Sequence, residues 1–332
     1  MLPAKKRNKI FDDILKAVKK GKTFLLSGHY KPDGDTVGSE LAFASFLRRL
    51  KKKVRIVNAE PVPEGLRFLP GIDKIEALKK VEGYFDVVVV FECSGADRMG
   101  NILDLDTQAG TVINIDHHRH HAYFGDINLI DQDASSNSEQ LFPFFQRAKV
   151  KVTKEEAAAL YVGLVTDTGR FQQENANPES HRVAAGLHET GIDVAEISRK
   201  LYGTRSEAAL KILARGLASL RLEADGRLAV LRVTEKDFAE TGAGPDDTED
   251  IVNHGLMVPS VEAVVFVRPS GPNAPGDCKI SFRGKGRVDL CKVAVSLQGG
   301  GHRNASGCNM RGDVDVVARH MADAVIAELP KK

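Results

Sequence analysis

The chain predicts a two-domain α/β protein: an N-terminal doubly wound, mainly parallel sheet followed by a smaller C-terminal α+β domain. Three observations carry this expectation. Short apolar runs alternate with stretches of helical spacing through the first half, the rhythm of a parallel sheet with helices on both faces. The length of 332 residues suits two domains better than one. After about residue 190 the rhythm gives way to shorter strands broken by turns.

Taken in order, residues 9–19 put Ile10, Phe11, Ile14, Leu15 and Val18 at helical spacing. Residues 23–27 form a short apolar strand. Residues 28–38 contain Pro32 and Gly34 and predict a loop. A helix follows over 39–50 and ends in a basic tail, then a second strand over 53–57. Residues 86–91 are a continuous apolar run of the kind buried on both faces of a parallel sheet, and 111–115 are another. Residues 138–147 and 155–166 read as helices. Residues 194–202 and 206–220 read as a helical connector. Strands are expected over 228–233, 261–267 and 278–282, a hairpin tip at 271–276 and a closing helix over 314–329. The expected division is 1–190 for the first domain, 191–220 for the connector and 221–332 for the second domain.

Composition narrows the function classes. Hydrophobic residues make up 42% and charged residues 28%, ordinary for a globular protein. The net charge is +2, from 47 basic and 45 acidic residues, which argues against a protein that coats long duplex DNA. It leaves room for a local anion pocket. Cys93, Cys278, Cys291 and Cys308 are scattered and form no CxxC pair, so neither a disulfide framework nor a zinc knuckle is expected. No segment approaches membrane-spanning length, and no apolar run of signal-peptide type follows the basic start. The expectation is a cytoplasmic protein with no membrane partner.

The most informative stretch is Asn114-Ile115-Asp116-His117-His118. It follows an apolar strand, and burying a carboxylate and two imidazoles there unpaired would cost several kcal/mol. Strand ends are where open α/β sheets bind ligands. His120 and His121 read as exposed loop residues. Upstream, His29, Asp33 and Asp35 crowd the predicted loop 28–38. Such a set can wrap a hard or borderline divalent ion; the alternative is an Asx-rich turn with Asp35 or Thr36 capping a helix. Glu92 ends the strongest apolar strand and is followed by Cys93, Ser94, Asp97 and Arg98; the plain alternative is a strand that surfaces there. Asp167, in Asp-Thr-Gly, stands where a helix gives out, and alone it reads as a helix C-terminal turn. Together the clusters fall at element ends and supply enough carboxylate and imidazole for two divalent metals sharing bridging ligands. Such a pair suits attack on phosphorus.

A further feature lies in the second half, where Gly299, Gly300 and Gly301 precede His302 and Arg303. Glycines let backbone amides approach an anion closely, and the basic residues add donors. Arg283, Lys285 and Arg287 form a second basic cluster upstream. The alternative is a glycine-rich turn with solvated charges. Two other patterns are rejected. Gly21-Lys22-Thr23 lacks the earlier glycine of a phosphate-binding loop and precedes a strand, and Gly242-Ala243-Gly244 is followed by Pro245.

The order His29-x-x-x-Asp33-x-Asp35, acidic strand end, Asp116-His117-His118, Asp167-Thr-Gly and Gly-Gly-Gly-His302 resembles the DHH/DHHA1 phosphoesterases. Residues 134–139 and Ser281-Phe-Arg283 resemble further stretches of that family, and the likeness runs from about residue 20 to 325. The nearest branch is the NrnA-like group of oligoribonucleases and 3′-phosphoadenosine 5′-phosphate (pAp) phosphatases. The resemblance implies a DHH domain with two divalent ions, Mn²⁺ with Mg²⁺ or Co²⁺ as alternatives, and a DHHA1 domain that engages substrate. It implies that His29 and Asp33 hold one ion, that Asp35 and His117 hold the other, that Asp167 contacts a metal and that Glu92 bridges. Within the Asp116-His117-His118 motif, Asp116 and His118 are the implied catalytic residues, His118 meeting the phosphate or helping proton transfer. Arg283, Gly299, Gly300, Gly301, His302 and Arg303 would bind the phosphate or base end of a short nucleotide. The family has Asp where this chain has Glu92, one methylene longer. The implied substrates are very short RNAs and pAp. Cyclic dinucleotides or their linear products are an alternative, and a nucleotide sensor with a decayed centre is a third reading. A RecJ-like exonuclease on long strands is disfavoured by near-neutral charge and by sparse aromatic platforms, with no Trp and five Tyr. A family pyrophosphatase is disfavoured by the glycine-histidine segment. A homodimer is compatible with the resemblance.

Overall fold

A computed structural model of the chain describes residues 2–118, 121–248, 250–271 and 274–330, the side chain of His302 excepted. The chain divides into two compact units, Met1–Thr204 and Arg205–Lys332. Among the described residues no helix is long and apolar enough to cross a membrane.

The first unit is built on a six-stranded parallel sheet. Its strands are β1 (Thr23–Ser27), β2 (Lys53–Asn58), β3 (Ile75–Ala77), β4 (Val87–Phe91), β5 (Val112–Asp116) and β6 (Ile127–Ile130). Their order in the sheet is β3-β2-β1-β4-β5-β6. The chain winds outward from β1 on one side and from β4 on the other, so the strand order reverses between them. Loops leaving the carboxyl ends of β1 and β4 therefore diverge and leave a crevice, the usual ligand site of such sheets. The expected central strands are all present. The edge strands β3 and β6 were not legible, because each is short and partly exposed and lacks a continuous apolar run.

The helices are α1 (Ala4–Lys20), α2 (Gly34–Arg49), α3 (Leu105–Gln108), α4 (Asn137–Arg147), α5 (Lys154–Asp167), α6 (Pro178–His188) and α7 (Val194–Tyr202). Helix α2 begins at Gly34, inside the stretch 28–38 expected to be loop. The Asp33 carboxylate accepts hydrogen bonds from the N–H groups of Asp35 and Thr36 and so caps the helix five residues early. Helix α2 is enclosed over nearly its whole length. Phe43 and Phe46 of α2 meet Phe11, Phe91, Phe144 and Phe145 in a cluster of edge-to-face and tilted pairs with ring centroids 5.4–5.9 Å apart. At this spacing aromatic pairs add to their area burial. Helix α5 starts at a reciprocal capping box, in which Thr153 and Glu156 satisfy each other's N–H groups.

The second unit holds α8 (Glu207–Ala218), β7 (Arg221–Glu223), β8 (Leu228–Arg232), α9 (Glu235–Thr241), α10 (Ile251–Gly255), β9 (Ala263–Pro269), β10 (Asp277–Gly284), α11 (Leu290–Ser296), β11 (Gly300–His302), β12 (Ala305–Arg311) and α12 (Val314–Glu328). Its strands form a mixed sheet in the order β11-β12-β10-β9-β8-β7, in which β8 and β9 run parallel and the other pairs antiparallel. Strands β9 and β10 pair as a hairpin. Of the expected tip at 271–276, residues 272 and 273 lie outside the described residues. The glycine-rich segment is not an open turn: β11 pairs with β12 through it.

Candidate metal centre

Three neighbouring strands deliver the chemistry. The loop after β1 carries His29 and Asp33, β4 is followed by Glu92, and β5 ends at Asp116 with His117 and His118 beyond it. Helix α2 adds Asp35 and the last residue of α5 is Asp167. Potential donor atoms of Asp35, Glu92, His117 and Asp167 lie within 4.8 Å of one another, as do those of His29, Asp33 and Glu92, and those of Glu92, His117 and His118. Glu92 is common to all three groups.

Each donor is aimed by its surroundings. Asp35 is fully buried at the start of α4. Its Oδ2 accepts from Asn137 N–H at 2.5 Å, and its Oδ1 accepts from Ser138 N–H at 3.0 Å and from Ser138 Oγ at 2.6 Å. A helix N-terminus favours a carboxylate in this position. Gly163 of α5 allows this approach. A methyl group there would overlap Ser138 Oγ and stand 2.5 Å from Asp35 Oδ1. Gly163→Ala is therefore expected to cost about 1–3 kcal/mol of stability, as overpacking does, and to weaken divalent-ion binding. Urea denaturation and calorimetry would read both, and wild-type values in both would show that Asp35 moves freely.

Asp33 caps α2 with Oδ1 and holds Oδ2 3.5 Å from His29 Nε2. Burial works against its charge, but His29 and the Thr36 N–H outweigh it and hold the carboxyl below its usual range. The β1 end that leads to His29 is itself pinned. Gly28 N–H donates to Asn58 Oδ1 at 3.1 Å, and Asn58 Nδ2 donates to Glu40 Oε2 at 3.0 Å. Burial pushes the Glu40 carboxyl up to about 8, against the hydrogen bond from Asn58.

Glu92 adopts φ 58°, a left-handed backbone uncommon for a glutamate. Asp167 is followed by three residues of positive φ: Gly169, Arg170 and Phe171. The Asp-Thr-Gly motif owes its threonine to this turn. The buried Thr168 hydroxyl donates to Leu164 C=O at 2.6 Å and accepts from Phe171 N–H at 3.2 Å.

The centre of the site is cation-shaped. His117 Nδ1 lies 3.2 Å from the Ala134 carbonyl, which can only accept, so the proton sits on Nδ1 and Nε2 presents its lone pair. Yet Nε2 stands 3.1 Å from Glu92 Oε1 and 3.0 Å from Asp167 Oδ2. Lone pairs facing lone pairs repel, and both His117 Nε2 and Glu92 Oε1 are buried with no hydrogen-bond partner. A cation resolves the conflict. With a proton there, burial opposes the charged imidazole, but Glu92 and Asp167 push His117 up to about 12. Burial raises both carboxyls, Asp167 to about 7. A divalent ion in place of that proton satisfies the same atoms and fits the mixed oxygen and imidazole donors.

Asp116 is buried and turned away from these groups. Its Oδ1 accepts from the N–H of His117 at 2.8 Å and of His118 at 3.3 Å, and lies 2.7 Å from His118 Nδ1. Burial opposes its charge, but His118 and the N–H donors hold it below the usual carboxylate range. Asp116 thus lies against His118 and outside the group of converging donors. The His118 side chain is 45% exposed. His121, expected to be an exposed loop residue, is instead fully buried at its side chain and lies against Asp116. The reason is tertiary: Ala122 N–H bonds to Ser94 C=O at 2.8 Å and folds the segment back over the strand ends. His120 lies outside the described residues.

In the second unit, β10, β12 and β11 bring residues 283, 305 and 302 into one cross-strand row. Gly301 has φ 132°, which a side chain rarely adopts, and a methyl at Gly299 would crowd the backbone of Gly307 and Cys308. Gly300 opens β11. Arg303 is exposed, with Nε bonded to the Gly286 carbonyl at 3.2 Å. Arg283 donates to the Phe282 carbonyl at 3.0 Å.

Comparison with known proteins shows what the chain is similar to. The profile of the DHH family, N-terminal domain, matches residues 23–164. The "Bifunctional oligoribonuclease and PAP phosphatase NrnA" of Thermus thermophilus is 30% identical over 321 residues, covering 96% of this chain and 93% of that protein. The protein of the same name from Bacillus subtilis is 25% identical over 96% of both chains. Among solved structures, an exopolyphosphatase-related protein from Bacteroides fragilis superposes with a TM-score of 0.88 at 27% identity, over 96% of both chains.

Proposed function

The chain belongs to the DHH family of phosphoesterases, and from that premise we propose that it hydrolyses very short oligoribonucleotides to 5′-mononucleotides and releases phosphate from pAp. The observation that carries the reading is the Glu92–His117–Asp167 contact, where buried donor atoms converge with no partner among themselves. Two divalent ions, Mn²⁺ by preference, are assigned to this region. His29 and Asp33 serve one and Asp35, His117 and Asp167 the other, with Glu92 common to both. Such ions polarise a phosphoryl oxygen and make water a better nucleophile at neutral pH. The protein's own part is to hold these donors still, to keep His117 Nε2 bare through Ala134, and to present His118 for proton transfer at the ester oxygen. The absence of a CxxC pair and the four free cysteines fit a cytoplasmic setting.

Substrate length tests the reading. With Mn²⁺, RNA of about two to five residues is expected to be cleaved much faster than RNA of about twenty, because a net charge of +2 offers no extended track for a phosphate backbone. Equal rates at matched ends would contradict it. In the second unit, Arg283, His302 and Arg303 with Gly299, Gly300 and Gly301 are proposed to bind a phosphate or base. Arg283→Ala is expected to raise KM on the order of ten-fold, as loss of a charge-assisted bond does, with metal content unchanged. Metal loss in that variant would remove it from this role.

Glu92, in place of the family's Asp, favours a second reading, a nucleotide sensor without turnover. Phosphate release from pAp with added Mn²⁺ separates the two, since a sensor binds pAp and releases none.

A further inference from the structure

His121 is a buried histidine that the proposed reaction does not yet use. Its side chain is 0% exposed, and its Nδ1 accepts from the Tyr123 N–H at 2.8 Å. A neutral imidazole with an accepting Nδ1 carries its proton on Nε2. Burial holds His121 below its usual pKa and so favours that neutral form. Nε2 stands 3.2 Å from Asp116 Oδ2, a buried oxygen that has no hydrogen-bond partner among the described residues. Asn114 Nδ2, which can only donate, is 3.0 Å from the same nitrogen and also donates to the Cys93 carbonyl at 3.0 Å, so it offers the Nε2 proton no acceptor. The Cys93 carbonyl and Asp116 Oδ2 are the acceptors beside the Nε2 proton; the carbonyl already accepts from Asn114, whereas Oδ2 has no other donor among the described residues. The other oxygen of Asp116 lies 2.7 Å from His118 Nδ1. The turn that holds His121 is fixed by a left-handed Tyr123, φ 51°, and by the Phe124 ring stacked 6.2 Å from the imidazole.

We propose that His121 is a positioning residue for the phosphoesterase reaction: it anchors Asp116 Oδ2, so that Asp116 Oδ1 orients His118 and leaves His118 Nε2 directed at the departing ester oxygen. The inference rests on the phosphoesterase reading above. In the step concerned, water forms the new bond to phosphorus. The old P–O bond breaks with its electron pair on the leaving oxygen, which takes a proton from His118 Nε2. A proton shed by the attacking water restores the imidazole. An orienting carboxylate beneath a catalytic imidazole has large effects where it has been removed. A buried carboxylate oxygen deprived of its donor would turn toward another partner.

The test compares His121→Met, which fills the ring's volume without a donor, with His121→Gln, whose amide can reach Asp116 Oδ2. Two substrates with the same nucleotide are used, both with Mn²⁺. One is a dinucleotide, whose leaving sugar hydroxyl needs a proton. The other is the p-nitrophenyl ester of the 5′-nucleotide, whose leaving phenolate does not. His121→Met is expected to lower kcat on the dinucleotide by roughly 10- to 100-fold, the lower range of general-acid contributions. KM and metal content should hold, and the p-nitrophenyl ester should be cleaved nearly as fast as by wild type. His121→Gln should recover most of the loss. If His121→Met fails to fold, His121→Asn, too short to reach Oδ2, makes the same comparison. Equal losses on both substrates, no loss at all, or a Gln variant no better than Met would overturn the inference. A wild-type chain that hydrolyses neither substrate would overturn the activity reading, and this inference with it. A wild type that hydrolyses both, with a flat Met variant, overturns this inference alone.

Discussion

Glu92→Gln is expected to lose at least one divalent ion and to fall by roughly a hundred-fold or more in kcat, since a few kcal/mol of lost charge stabilisation suffices for that. Glu92 is the residue common to every converging group of donors in the site, and its carboxylate is buried against His117. The amide keeps the shape and one acceptor but removes the charge that offsets the bound cations. Glu92→Asp makes a sharper comparison. The backbone at this position is left-handed, with φ 58°. Aspartate tolerates that conformation better than glutamate does, so the shorter residue relieves strain while its carboxylate sits one methylene further back. Glu92→Asp is expected to keep metal and activity. Counting metal by atomic emission and measuring pAp turnover on wild type and both variants separates the outcomes. Full metal content with wild-type turnover in Glu92→Gln would remove Glu92 from the site. An inactive wild type that gains activity in Glu92→Asp would establish the sensor.

Chelation is expected to abolish hydrolysis, and Mn²⁺ to restore it best. The donors are carboxylate and imidazole, and Cys93 beside them has its thiol pushed up by burial, which keeps it out of the ligand set at neutral pH. An ion held by these donors would also stabilise the fold. Without it, the Nε2 of His117 must take up a proton to sit between Glu92 and Asp167. An ion that binds only the folded chain stabilises it by about 2.7 kcal/mol at a hundred times its Kd, so a Tm several degrees higher in saturating Mn²⁺ is expected by calorimetry. Undiminished turnover after verified metal removal would sink the two-metal mechanism. An unchanged Tm would show that the donors do not converge on an ion.

The reach of the sequence follows from the range of the forces involved. Strands β1, β4 and β5 were legible because burial on both faces of a parallel sheet demands apolar runs, of which Val87–Phe91 is the clearest, and β2 through its Val54, Ile56 and Val57. His29, Asp33, Asp35, Glu92, Asp116, His117, His118 and Asp167 stood out for the complementary reason: charged groups at the ends of apolar elements need a purpose. Even the early start of α2 is local, since Asp33 caps it through neighbours two and three residues away. What lay beyond the sequence depends on contacts between distant segments. Ser138 reaches Asp35 across 103 residues, Asn58 reaches Gly28 across 30, and the Ala134 carbonyl sets the His117 tautomer across 17. His121 shows the limit most plainly. In a run of histidines it reads as exposed loop, and contacts such as the bond from Ala122 to Ser94 turn it inward to Asp116. The sequence by itself determined which residues carry charge at the strand ends. The tertiary structure decided which of their atoms converge, because a hydrogen-bond direction is set by the partner that the fold brings near.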